Sequence, residues 1–343
     1  MKLHAQSFEG EVMNKLGTLL FSALILAPVA TQAFGSQPPQ NTPDPDPIPS
    51  GSMPTDPDSG GADFLKLPNG KALSSIRVSG SALSLSKGSG SSFGSTAQAA
   101  YKTLKQASQT TDAYKVQWVF MDLGTGHVID QSRNPDKRIF GASSSKVFVA
   151  GTLLDHQDGE LSSSQLQLMA DMLVVSSNTA WTSLQKEIGD GDSNKGRERN
   201  YAFTQRMGYA KTHGFQGYWG NIHGNELTAS DTAKFIYDVY QGRFEGAEYL
   251  WKLMHTCRTG ASRGRKYLPT SLYVGGKTGT YSGPTYDTDL GKDVTVAIAN
   301  HIVVFNAGGK QYGLVVLANT GSDESAAVLA GGLYQEHVLG RRL

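Results

Sequence analysis

The sequence has almost no cysteine: one residue, Cys257, in 343. A single thiol excludes a disulfide within the chain and any zinc centre built from cysteines. Charge of one sign is also missing. With 31 Lys and Arg against 30 Asp and Glu, the net charge is +1. That balance leaves no electrostatic footprint for nucleic acid. The 8 His show no H-E-x-x-H or other paired-ligand spacing, so neither a metal nor another cofactor is expected. Apolar residues are scarce too, at 38%. For a chain long enough for one large domain or two ordinary ones, that share implies that part of it stays out of any core.

The prolines mark that part. Eight of the 13 lie between Pro38 and Pro57, in a stretch with no apolar periodicity. Such a segment cannot bury enough surface to offset its ordering entropy, and it reads as an extended tether over residues 34–63. Before it, Lys15 precedes the apolar run Leu16 to Leu26, and small residues follow at Thr31 and Ala33. This is the pattern of a secretory signal peptide over residues 1–33, with its start at Met13. An uncleaved membrane anchor is the competing reading, although the run is short for a bilayer. No Cys follows the run, which excludes a lipid-modified terminus. The expected location is the bacterial periplasm or the exterior, with no stable membrane span after cleavage. Residues 64–94 are rich in Ser and Gly, with alternation at Ile76–Ser79 and Ala82–Leu85. They read as a short strand pair or as more linker.

Residues 95–343 carry the pattern of a folded domain. Ser95 to Ser108 has a helical stripe at Ala97, Ala100, Leu104 and Ala107. Two apolar runs flank Asp122-Leu123-Gly124-Thr125-Gly126 and predict an antiparallel hairpin. Helical patterns run from Ser143 to about Leu253. A strand then enters Gly276, two more flank Asn306-Ala307-Gly308-Gly309, and a helix spans Glu324 to Leu339. The predicted fold class is α/β, of the α+β kind: an antiparallel sheet flanked by terminal helices, with an all-helical lobe and a cleft between them.

Three short segments carry chemistry. Ser143-Ser144-Ser145-Lys146 opens a helix that is apolar almost all round. Residues i and i+3 share a helical face. A serine in the first turn lies near unpaired N–H groups, and a desolvated lysine can accept its proton. The same spacing at Ser84–Lys87 and Ser183–Lys186 lacks a buried helix and reads as ordinary solvated side chains. Ser176-Ser177-Asn178 reads as a tight connection between two helices that presents a hydroxyl beside an amide. A plain helix cap is its simpler reading. Lys277-Thr278-Gly279-Thr280 places a cation and two hydroxyls on a strand, with Gly279 allowing a substrate backbone to approach closely. A protected edge strand is the simpler reading there.

Together, S-x-x-K, S-x-N and K-T-G in this order resemble the signature set of the penicillin-recognising serine enzymes, closest to the class A β-lactamase-like branch. The resemblance covers residues 95–343 and includes MDLGTGHVID, SSNTAW, HTCRTGASRGRKYLP and GGKQYGLVVLANTG. It implies that Ser143 accepts the acyl group and that Lys146 is its base. Ser176, aided by Lys277, would relay a proton to the leaving nitrogen. Asn178 would bind the substrate amide, and the backbone N–H groups of Ser143 and Thr280 would form an oxyanion hole. Lys277, Thr278 and Thr280 would hold a substrate carboxylate. Arg263 would stand behind the strand, with Arg265 as alternate, and solvated loop cations are the competing reading for both.

Two departures shape the expected activity. Ser143 and Ser176 are only 33 residues apart, which implies that a loop overhanging the cleft is missing. The deacylating glutamate of class A enzymes is also not found. Asn200 to Asn225 contains no Asp or Glu, and Glu226 lies too close to the next helix start. His213, Gln216 and His223 are the alternative water-activating groups. The expectation is therefore a DD-peptidase acting on D-Ala-D-Ala peptides of peptidoglycan, or binding β-lactams. The alternatives are a β-lactamase with a non-standard base and a non-catalytic sensor of β-lactams or muropeptides.

Overall fold

A computed structural model of the chain describes residues 61–67, 73–112, 114–214 and 221–343. All described residues lie within one compact unit. The segments expected to be a signal peptide and, nearly all of it, a proline-rich tether lie outside the described residues.

The first described elements belong to the Ser/Gly-rich segment. Two strands of two residues, β1 (Arg77–Val78) and β2 (Ser81–Ala82), pair antiparallel in the register Arg77↔Ala82 and Val78↔Ser81. Phe64, Leu67, Leu73, Ile76, Val78 and Leu83 are buried in the same core as the helical lobe. The strand-pair alternative is what forms, and the segment is built into the fold. The alternation at Ile76–Ser79 marks the buried side chains Ile76 and Val78, whereas residues 86–91 dock mainly through backbone groups, which no side-chain pattern reveals.

Helix α1 (Ser95–Thr110) is followed by strands β3 (Val116–Asp122) and β4 (His127–Gln131), the predicted hairpin. A short strand β5 (Ile139–Phe140) precedes the helical lobe. The lobe contains α2 (Lys146–His156), α3 (Ser163–Val174), α4 (Asn178–Ile188) and α5 (Ser193–Arg206). Two short strands follow, β6 (His213–Gly214) and β7 (Asn225–Leu227), and then α6 (Ala229–Tyr240) and α7 (Ala247–Met254). Local chemistry starts these helices. Ser162 and Gln165 form a capping box on α3. Ser177, Asp192 and Thr228 accept backbone N–H groups at the starts of α4, α5 and α6. Each such cap contributes about 1 kcal/mol.

The chain then returns to the sheet through β8 (Val274–Asp287), β9 (Lys292–Ala307) and β10 (Lys310–Ala318), and ends in α8 (Glu324–Leu333). Residues Tyr334–Val338 form a π-helical turn, so the last helix is shorter than predicted. The five-stranded sheet is antiparallel in the order β4-β3-β10-β9-β8. Strand alternation sorts its side chains. Trp118, Phe120, Val303, Phe305, Leu314 and Val316 pack with α1 and α8 on one face. Val119, Met121, Ile302, Val304, Val315 and Leu317 join the helical lobe on the other. The central strands are therefore apolar on both faces, as a sheet covered twice must be. Edge strand β8 borders the helical lobe, where the three motifs meet. Among the described residues no helix is long and apolar enough to cross a membrane.

Candidate active site

Ser143 does not lie in the first turn of an α-helix. It lies in a 3₁₀ turn, Ala142–Ser145, and Lys146 is the first residue of α2. The Lys146 N–H donates to the Ser143 carbonyl. The turn is sharp because Ala142 adopts a left-handed backbone, φ 46°, a conformation that costs a non-glycine residue energy and must be held by its surroundings. Two buried asparagines hold it. Asn225 Nδ2 donates to the Ala142 carbonyl at 3.0 Å, and Asn300 Nδ2 donates to the Gly141 carbonyl at 3.1 Å. Neither belongs to the three sequence motifs. Of the two, only Asn300 stands out, as a polar residue inside an otherwise apolar strand.

Ser176 lies between α3 and α4 and is also left-handed, φ 63°. This kink brings the loop back against α2. Lys146 Nζ donates to the Ser176 carbonyl at 2.6 Å and to Asn178 Oδ1 at 2.7 Å, and it lies 3.3 Å from Ser176 Oγ. Lys277 Nζ donates to the same Ser176 Oγ at 2.8 Å and to the Thr278 carbonyl at 2.8 Å. One hydroxyl thus touches two ammonium-forming groups. Both lysines are 0% exposed, and this decides their protonation. Burial, helped by the charge of Lys277, lowers Lys146 to about 6. Burial, with a smaller push from Arg263, lowers Lys277 to about 8. The Trp181 ring, 5.3 Å from Lys146 Nζ, opposes the shift weakly. At neutral pH Lys146 is mostly a free amine and Lys277 mostly a cation.

Thr278 and Thr280 point to the opposite face of β8 from Lys277. Thr278 Oγ1 lies 2.7 Å from Thr259 Oγ1, and Thr280 Oγ1 accepts from Arg263 Nη2 at 2.6 Å. Arg263 is buried, ion-paired with Asp323, and bonded to the carbonyls of Gly279 and Asn300. The solvated-cation reading fails for Arg263. Arg265 turns elsewhere, to the carbonyls of Lys87, Cys257 and Thr259, so it is not an alternate for Arg263. Gly279 also has a packing role. A Cβ there would lie 2.6 Å from the Gly141 carbonyl oxygen and 2.6 Å from Ser144 Oγ. The glycine lets β8 sit against the turn that carries Ser143. His301, opposite Thr278 on β9, is buried and accepts from the Gly264 N–H at 3.0 Å. Burial holds it neutral, far below the usual histidine range.

A family model for the β-lactamase enzyme family matches residues 156–333, just over half of the chain. The chain belongs to the β-lactamase enzyme family. Among solved structures it is similar to a β-lactamase from Chitinophaga pinensis, at 18% identity and a TM-score of 0.54 over 68% of this chain and 96% of that one. It is similar to a β-lactamase from Streptosporangium roseum, at 19% identity and a TM-score of 0.54 over 72% and 99%. TLA-3 extended-spectrum β-lactamase gives 14% identity and a TM-score of 0.56 over 71% and 99%. No curated protein matches in sequence. At these identities the structures show a shared fold, the mixed α/β architecture of β-lactamases.

In this member of the family the acid nearest in sequence to the expected deacylating position is Glu226, on β7. Asn225 and Leu227 face the Gly141 turn: a Cβ on Gly141 would lie within 3 Å of both. Alternation along the strand therefore turns Glu226 to the other face. There it lies 3.2 Å from His223 Nδ1, whose Nε2 lies 3.0 Å from Asp287 Oδ1. Of the three alternative bases, His223 is thus committed to carboxylates on that face. Gln216 and the His213 side chain lie outside the described residues.

Proposed function

We propose that this protein is a serine acyl-transfer enzyme that forms an acyl-enzyme on Ser143, with a DD-peptidase as the preferred activity. The observation that carries the reading is the single Ser176 hydroxyl shared by a neutral and a charged lysine. Two N–H bonds of Lys146 are committed to Ser176 and Asn178. In the free amine what remains is a lone pair, able to take the Ser143 proton as Oγ attacks a carbonyl. Collapse of the tetrahedral intermediate breaks the bond to the leaving nitrogen. That nitrogen takes the Ser176 proton, and Ser176 is replenished from the adjacent ammonium groups. Thr278 and Thr280, backed by Arg263, supply an anion-binding wall for a substrate carboxylate, while Lys277 on the other face of β8 holds Ser176.

Release of the acyl group by water needs a second base. Among the described residues, the hydrogen bonds around Lys146, Ser176 and Lys277 include no carboxylate, and Glu226 faces away. This favours D-Ala-D-Ala peptides, where an incoming amine or slow hydrolysis can end the cycle. A β-lactamase with a non-standard base is the second reading, favoured by the structural likeness to β-lactamases. Export is part of the proposal and rests on Lys15 and the run Leu16–Leu26. The test pairs a chromogenic cephalosporin with a fluorescent penicillin. Slow turnover with stable label on Ser143 is expected, and fast steady-state turnover overturns the DD-peptidase preference.

A further inference from the structure

Arg265 carries three hydrogen bonds and belongs to none of the motifs. Its Nε donates to the Lys87 carbonyl at 2.9 Å, and its Nη1 donates to the carbonyls of Cys257 at 3.0 Å and Thr259 at 3.2 Å. One planar fork thus ties the Ser/Gly-rich segment to the residue whose hydroxyl meets Thr278. The rest of that segment docks the same way. The N–H groups of Ser86, Gly88, Ser89, Gly90 and Ser91 donate to the carbonyls of His255, Leu272, Arg265, Leu268 and Lys266, at 2.7 to 3.1 Å. Val274 N–H, at the start of β8, donates back to the Ser86 carbonyl at 2.9 Å. Ser89 Oγ donates to the Ala261 carbonyl at 2.9 Å. The fit is close: a Cβ on Gly88 would lie 2.2 Å from the Pro269 carbonyl oxygen.

We propose that residues 86–91 form a strap that sets the anion-binding wall of the site, and that Arg265 is the positioning residue connecting the two. The loop between α7 and β8 supplies Thr259 and Arg263, which orient the Thr278 and Thr280 hydroxyls. It has no helix or strand of its own to fix it. The strap provides that support through backbone bonds, and Arg265 passes it to Thr259. The inference rests on the reading of Ser143 as the acylated residue. It adds that recognition of the substrate's acidic group depends on a segment outside all three motifs.

The experiment compares benzylpenicillin with its methyl ester as acylating agents, using the full chain. Arg265→Lys keeps the charge but cannot make all three bonds, and Gly88→Ala lifts the strap from the other side. Each variant is expected to raise the half-saturating concentration for the free acid about ten-fold, with the limiting acylation rate within about two-fold of wild type. Acylation by the ester is expected to stay within about two-fold, because the ester does not engage the wall. Ser89→Ala removes one strap bond with little risk to folding and is expected to shift the acid in the same direction by a smaller factor. Equal losses on acid and ester would show a merely structural role and overturn the proposal, as would no change on either. A wild-type protein that neither compound acylates overturns the Ser143 reading itself, and the proposal with it.

Discussion

Two polar clusters lie near the turn that carries Ser143, and they are built in opposite ways. Around Lys146, Ser176 and Lys277, every partner is neutral or cationic, and both amines are fully buried. Around His223, Glu226, Asp287 and Asp289, the groups are three carboxylates on one imidazole, and Asp289 is largely exposed. The first cluster uses desolvation to pull two lysines apart in pKa, an arrangement that assigns a base and an acid. The second uses ion pairing to hold charges already present. The first has what acylation needs. The second contains Glu226, the acid nearest in sequence to the expected deacylating position, but β7 turns it to the face away from the Gly141 turn.

The largest expected effect comes from breaking the first cluster. Lys146→Ala removes the free amine and leaves the Ser176 carbonyl and Asn178 Oδ1 without their lysine donor. Labelling of Ser143 by a fluorescent penicillin should slow by about 10³-fold. Ser143→Ala should abolish labelling. A Lys146→Ala protein that labels at near the wild-type rate would show that Lys146 is not the base.

A smaller effect follows from the two lysine shifts. Acylation needs Lys146 neutral and Lys277 charged. Raising pH through about 6 deprotonates Lys146, so the rate should rise there. Raising pH further through about 8 deprotonates Lys277, so the rate should fall. A bell with these limbs, each steepening toward about ten-fold per pH unit, is expected from stopped-flow acylation rates. The limbs belong to the coupled pair rather than to single residues. A rate still rising above pH 9 would remove Lys277 from its acid role.

How much of this was legible in the sequence depends on what each residue contacts. The sheet was readable because alternation and turn residues report directly on strands, as in the hairpin around Asp122–Gly126. The meeting of Lys146 with Ser176 followed from an ordered set of short motifs. Arg263 and Arg265 could not be separated, because the direction of a side chain in an irregular loop depends on its backbone path. Asn225 and Asn300 were invisible for a related reason: their work is to bond carbonyls of the Gly141–Ala142 kink, and nothing in the motif announces a left-handed alanine. The strap was the least legible. Its bonds are almost all between backbone groups, and Ser and Gly are as frequent in linkers as in segments that must pack closely.

The smallest effects test the second cluster and sharpen the contrast most. Glu226→Gln should leave the lifetime of the acyl-enzyme within about two-fold of wild type, whereas loss of a true water-activating base would lengthen it by about 10²-fold or more. His223→Gln should likewise spare acylation and act on stability alone. Its neighbours Glu226, Asp287 and Asp289 raise the folded-state pKa of His223 above the ordinary value of 6.5. The stabilisation is therefore fully present below pH 6.5 and is lost as pH rises through the folded value. A quarter of the His223 side chain is exposed, so screening keeps the effect below about 1 kcal/mol. Thermal unfolding of wild type and His223→Gln should differ by a few degrees at pH 5.5 and converge at pH 8. A long-lived acyl-enzyme appearing only in Glu226→Gln would place that carboxylate on the catalytic path after all, and the second cluster would then belong with the first.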